Sequence, residues 1–128
     1  EADGFHKLKA VGDAFMEFYR DEPDYIYFSL VIERYSYSIA NNLPTAKRCL
    51  ELLNEIQRII EQLLRQGVED GSIRSDLDVE KTAVVFIHVA TSFMQRVSTL
   101  QETFIKDEHY EPNELVEHML TIFLYSLR

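Results

Sequence analysis

Four histidines, one cysteine and 22 acidic residues are the groups with chemistry to offer in this 128-residue sequence, and their spacing decides which chemistry that is. None of His6, His88, His109 and His118 has a Glu three positions earlier, so the Glu-x-x-His pairs of di-iron bundles are missing. No His-x-x-x-His pair occurs, and a single cysteine rules out a Cys-rich zinc site. Glu114-Leu115-Val116-Glu117-His118 superficially resembles an inverted zinc-protease motif, which needs His where Glu114 stands. There is no glycine-rich phosphate loop and no Gly-x-Ser-x-Gly elbow. Most carboxylates fall on polar faces or helix caps, where solvation is their role. No enzyme, metal or cofactor is expected.

A polar stripe in an apolar setting is left. His88, Thr91, Ser92 and Gln95 recur at i, i+3, i+4 and i+7, so they share one helix face. Two readings fit it. A few convergent polar groups among apolar ones is how small-molecule sites are commonly built; alternatively these side chains hydrogen-bond within the core or across a dimer seam. The aromatics lean towards a site. Of seven Tyr and eight Phe, nine lie in the first two helices, and a buried tyrosine hydroxyl needs a partner. Tyr19 and Tyr35 are thereby candidates to line a cavity among the first four helices.

Those helices follow from apolar periodicity and its punctuation. Phe5, Leu8, Val11, Phe15 and Tyr19 predict a helix from residue 4 to about 21. Pro23 opens a second, to about Ala40, with Phe28, Ile32, Tyr35 and Ile39 on one face. Asn41 to Pro44 reads as a loop, with Thr45 as N-cap. The third and longest runs from Ala46 to Glu69 on the stripe Cys49, Leu53, Ile56, Ile60 and Leu63, and Gly71 closes it. Cys49 thus reads as a core residue. Asp78 caps a fourth from Val79 to about Leu100, with Ile105 as its outer limit, and Pro112 opens a fifth that continues to the chain end. The expected fold is one all-α domain over residues 1–128, a bundle of five antiparallel helices.

The last two helices carry too much apolar surface for one subunit. Between Lys81 and Arg96 there is no charged residue. The apolar residues of helix five spread over an arc of roughly 200°, whereas packing on one core needs little more than about 100°. A chain of this size buries one such helix, not two. A homodimer with a four-helix seam is expected, through Val85, Val89 and Ser92 of helix four and Val116, Leu120, Phe123, Leu124 and Leu127 of helix five.

Composition limits the partners. A net charge of −9 and a pI near 4.8, with dispersed basic residues, are unsuited to gripping nucleic acid directly. No apolar run approaches the roughly 20 residues that span a bilayer. No secretory leader is visible at Glu1, and one cysteine suits a reducing compartment, so a cytoplasmic location away from membranes is expected.

The stretch Gln66-Gly67-Val68-Glu69-Asp70-Gly71-Ser72-Ile73-Arg74-Ser75-Asp76-Leu77-Asp78-Val79-Glu80-Lys81-Thr82-Ala83 resembles the regulatory domain of TetR-family transcriptional regulators, at the step from a long helix into the dimerisation helices. Phe15, Phe18 and Tyr19 ahead of Glu22-Pro23-Asp24-Tyr25 are similar to that family's entry into its ligand domain. The resemblance implies a dimeric regulator whose effector binds inside helices one to four. DNA is read only by an N-terminal helix-turn-helix domain, which these residues do not include. The effector is expected to be a small apolar or aromatic organic molecule, with Phe15, Tyr19, Phe28, Tyr35, Ile56, His88, Thr91 and Gln95 as its candidate contacts. The alternative is a stand-alone helical dimerisation or assembly module without a ligand.

Overall fold

The structure, a computed structural model, describes residues 1–36, 44–100 and 110–128. Among them are five α-helices and no strand: α1 (Gly4–Asp21), α2 (Pro23–Ser36), α3 (Pro44–Asp70), α4 (Val79–Leu100) and α5 (Pro112–Ser126). The fold is the expected all-α bundle. The Asn41–Leu43 loop, the run of helix two to Ala40, the Ile105 limit and His109 lie outside the described residues, as do the side chains of Ile32, Tyr35 and Cys49.

The helix ends show why these segments fold as they do. The Asp3 carboxylate accepts the His6 N–H at 2.8 Å and caps α1. Pro23 and Pro112 stand at helix starts, where a missing N–H is no loss. Pro44 does the same for α3, which corrects the expected start: Pro44 is the first helical residue and Thr45 lies inside the helix. Gly71, at φ +79°, takes the left-handed conformation that ends α3. Asp78 caps α4 by accepting the Lys81 N–H at 3.1 Å.

Both α1 and α4 pack against α2, α3 and α5. Fully buried Phe86 of α4 lies near the middle of the core, edge-on to Phe123 of α5 at 4.9 Å and tilted against Phe15 of α1 at 6.4 Å. Leu8, Ile60, Leu64, Met94, Val116 and Leu127 are buried as completely around it.

Four of the residues expected in a dimer seam belong to that core. Val116, Leu120, Leu124 and Leu127 are buried within the subunit, because this side of α5 packs on α1 and α4. Helix α4 is likewise not buried all round. Its Ala83, Phe86, Ile87, Ala90, Met94 and Val97 face inward, while Val84, Val85 and Val89 are exposed.

One end of the bundle is tied together by backbone. The Cα of Gly4 comes so close to α3 that a Cβ there would sit inside the backbone of Gly67. A Cβ on Gly67 would in turn collide with the Ile73 side chain. This approach lets the free N–H groups of α1 find partners on the α3–α4 turn: Gly4 donates to Asp70 Oδ2 at 2.8 Å and Phe5 to Ser72 Oγ at 3.1 Å. The chain end joins the same knot. The Arg74 N–H donates to the Leu127 carbonyl at 2.9 Å, and the Arg128 guanidinium lies over the Phe5 ring at 4.1 Å.

Gly4→Ala is expected to destabilise the protein by about 3 kcal/mol, since backbone cannot yield as a side chain can. Gly12→Ala, whose Cβ would meet only Leu124 Cδ1 at 3.6 Å, should stabilise it by about 0.5–1 kcal/mol; urea denaturation of the two variants gives both signs. Hydrogen bonding by the Ser72 side chain, then by the Gly4 and Ser72 N–H groups, lowers the pKa of Asp70 below its ordinary 3.8. A depressed folded-state pKa adds stability above the unfolded value, and that stability is lost as pH falls through the folded one. Stability should thus decline below about pH 4, and Asp70→Asn should flatten that decline in urea midpoints measured against pH.

Candidate functional site

Helices α1 to α4 line an open cavity of about 430 Å³ whose wall is almost entirely apolar. Helix α1 supplies Val11, Ala14, Phe15 and Phe18, the i, i+3, i+4 and i+7 positions of one helix face. Ile26 and Ser29 come from α2, Leu53 and Ile56 from α3, and Thr91 and Met94 from α4. Among the described residues no charged side chain lines it. The cavity opens past Phe18 and Leu53, 45% and 37% exposed, while Ile26 and Met94 lie buried behind them.

Three expected contacts, Phe15, Ile56 and Thr91, are in this wall. Gln95 is not, but it stands directly behind the wall: its buried amide donates from Nε2 to Ser29 Oγ at 3.0 Å. Ser29 Oγ donates in turn to the Ile26 carbonyl at 2.7 Å, and Thr91 Oγ1 to the Ile87 carbonyl at 2.7 Å.

Other expected contacts lie elsewhere. Phe28 is turned outward and 56% exposed, because Ile26 and Ser29 take the inward side of α2. Tyr19 is buried in the core but is not part of the cavity wall; its neighbour Phe18 reaches the cavity mouth instead. The Tyr19 hydroxyl has no hydrogen-bond partner among the described residues, and burial pushes its pKa above the ordinary 10.0, so the phenol stays neutral. His88 is exposed and borders a separate hollow of about 150 Å³ with Glu33, Asn54 and Gln57. Ser92 is exposed as well, so the polar stripe divides: Gln95 and Thr91 turn inward, and His88 and Ser92 do not. The side chain of Tyr35 lies outside the described residues.

The sequence reading missed Val11, Ala14, Phe18, Ile26, Ser29, Leu53 and Met94. The i, i+3, i+4, i+7 series Val11, Ala14, Phe15, Phe18 was the available signal on α1.

A second groove, of about 480 Å³, runs between α1 and α5 beside Lys9, Asp13, Glu17, Arg20, Asp21 and Glu117. These side chains are solvent-exposed, and Lys9 pairs with Asp13 at 2.9 Å, so they form an ordinary charged surface seam. Among the described residues no three His, Cys, Asp or Glu side chains are grouped as metal ligands, and no helix is long and apolar enough to cross a membrane.

The outward side of α4 and α5 is the other distinctive surface. At about 100° per residue, Val89 and Val85 lie roughly 60° and 100° round α4 from Phe86, on the side away from buried Ile87. Met119 and Ile122 stand in the same relation to Phe123 on α5, away from buried Leu124. Because Phe86 packs on Phe123, both strips fall on one outward face. On it Val85, Val89 and Ile122 are 49%, 40% and 58% exposed, and Leu115, Met119 and Phe123 are half-buried.

Comparison with protein-family models, curated protein sequences and solved structures finds no match to this chain.

The geometry predicts a single uptake site for neutral apolar molecules. Nile red, an uncharged dye, is expected to bind one per chain. Ala14→Trp, at the exposed rim, should weaken that binding by about tenfold or more while leaving the urea midpoint nearly unchanged; a fluorescence titration of the two proteins checks it.

Proposed function

We propose that this chain is the effector-sensing and dimerisation domain of a TetR-like transcriptional regulator, which as a homodimer takes up a small apolar or aromatic organic molecule. One observation carries the reading: α4 has a cavity of about 430 Å³ on its inward side and exposed valines on its outward side. A ligand in the cavity and a second subunit on that face would press on opposite sides of the same helix. The resemblance of residues 66–83 to the family's turn into its dimerisation helices supports the same assignment.

The seam we propose keeps Val85, Val89, Ser92 and Phe123 and replaces the core residues of α5 with Leu115, Met119 and Ile122. Such a strip is apolar between Val85 and Val89 on α4, with exposed Arg96 at its end, and is contributed by two packed helices, which suits a self-complementary two-fold contact. DNA would be read only by a domain preceding α1. Helix α1 forms much of the cavity wall, so an effector that fits one placement of α1 better than another shifts the population between them. In the dimer that shift alters the separation of two reading heads that must reach major grooves one turn apart. The proposed location is the cytoplasm.

Native mass spectrometry and sedimentation test the reading together. A dimer carrying a non-covalent organic mass supports it, whereas an empty dimer that refuses apolar probes favours the stand-alone assembly module. A 15.0 kDa particle at high micromolar concentration would overturn the dimer. Val85→Glu combined with Ile122→Glu is expected to yield a folded monomer, because both side chains are exposed in the subunit while the seam would bury them unpaired.

A further inference from the structure

The apolar cavity does not end at its own wall. Leu53 and Thr91 line it and also line the neighbouring hollow of about 150 Å³, so the two spaces meet along those side chains. The helices carry the wall from one into the other. On α2 Ser29 faces the cavity and Glu33 the hollow, one helical turn of about 5 Å further on. On α4 Thr91 borders both, and His88, a turn back, borders the hollow. On α3 the change is a rotation instead: Leu53 and Ile56 reach the cavity, whereas Asn54 and Gln57, each the next residue, reach the hollow.

The chemistry changes at that edge. The cavity is almost wholly apolar, while the hollow presents two amides and an imidazole. Among the described residues no hydrogen bond engages the side chains of Asn54, Gln57 or His88; Arg58 and Thr91 approach only the backbone carbonyls of Asn54 and His88. An amide side chain offers donors and an acceptor together. Asn54 and Gln57, at i and i+3 on one face of α3, therefore suit a head group that both gives and takes hydrogen bonds.

We infer that the two spaces form one bipartite site for an amphipathic molecule, with its apolar body in the cavity and an uncharged hydrogen-bonding head, such as a primary amide, in the hollow. The inference rests on the reading of the cavity as the effector site and specifies the class of effector. The apolar wall by itself discriminates little among neutral hydrophobes that fit; the hollow supplies the selectivity, through groups that only a polar head can meet. The body leads to it past Leu53, which is 37% exposed at the shared edge. The Glu33 carboxylate on the rim opposes an anionic head.

Decanamide and N,N-dimethyldecanamide share a body and differ in whether the head carries N–H groups. Each is titrated against Nile red bound to the intact chain. Decanamide is expected to bind about fivefold more tightly than its dimethyl analogue, although the analogue is the more apolar. Asn54→Ala combined with Gln57→Ala replaces two side chains that are not buried by a strong helix former, so the urea midpoint should hardly move. That double variant is expected to lose the preference for decanamide. If neither amide displaces the dye, the cavity is not an effector site and the proposed function fails with it. If both displace it equally well, or the preference survives in the double variant, the cavity stands as a site and the bipartite inference is overturned.

Discussion

The approach of Gly4 to Gly67 is the constraint on which the arrangement depends. Because Gly4 lacks a Cβ, α1 starts against the backbone of α3, and its first N–H groups reach Asp70 and Ser72; the missing Cβ of Gly67 makes room for Ile73. This contact fixes the line along which α1 leaves the α3–α4 turn. That line decides which residues of α1 face the gap between α2, α3 and α4. The cavity is thus a consequence of how α1 is anchored: from a tight start, Val11, Phe15 and Phe18 follow along its inner side and form a wall.

Helix α4 illustrates how one uncharged segment serves two purposes. Its small and aromatic residues, Ala83, Phe86 and Ala90, let the helix sit in the core without crowding. Thr91 and Met94 turn to the cavity, and Val85 and Val89 turn to the outside. Two sides of the helix meet apolar neighbours or the cavity within the subunit, while its outward valines stay exposed. A polar group survives where a specific partner exists, as Gln95 does beside Ser29.

Element identity was legible because two independent signals coincide at each boundary. Pro23, Pro112 and Gly71 interrupt or open runs whose apolar spacing already indicates helix, and Asp78 stands where a cap is needed. Pro44 was legible as a break but read one step too cautiously, since a proline's fixed φ suits the first helical turn. Rotational phase was the harder quantity. Phe18 and Tyr19 are adjacent and both aromatic, yet one reaches the cavity mouth and the other the core. On α5 the broad apolar arc revealed an excess of surface without saying which half lies inside. Neighbours settle that: α1 presents Gly12 near Leu124, so Val116, Leu120, Leu124 and Leu127 turn inward and Leu115, Met119 and Ile122 take the flank. Such facts belong to the meeting of helices distant in the chain, and periodicity within a single helix does not contain them.

Phe5 beneath the Arg128 guanidinium, with Leu127 bonded to Arg74, brings the first and last turns of the bundle to a common pole. Anything joined ahead of Glu1 or behind Arg128 therefore departs from that pole. The two ends are also mechanically linked: a tilt of α1 would reach the final residues through the Phe5 ring under Arg128 and through the packing of α1 on α5. A short peptide bridging them would close the polypeptide into a loop without stretching it, and new ends cut at the far pole would leave this knot of glycine, aspartate and arginine undisturbed.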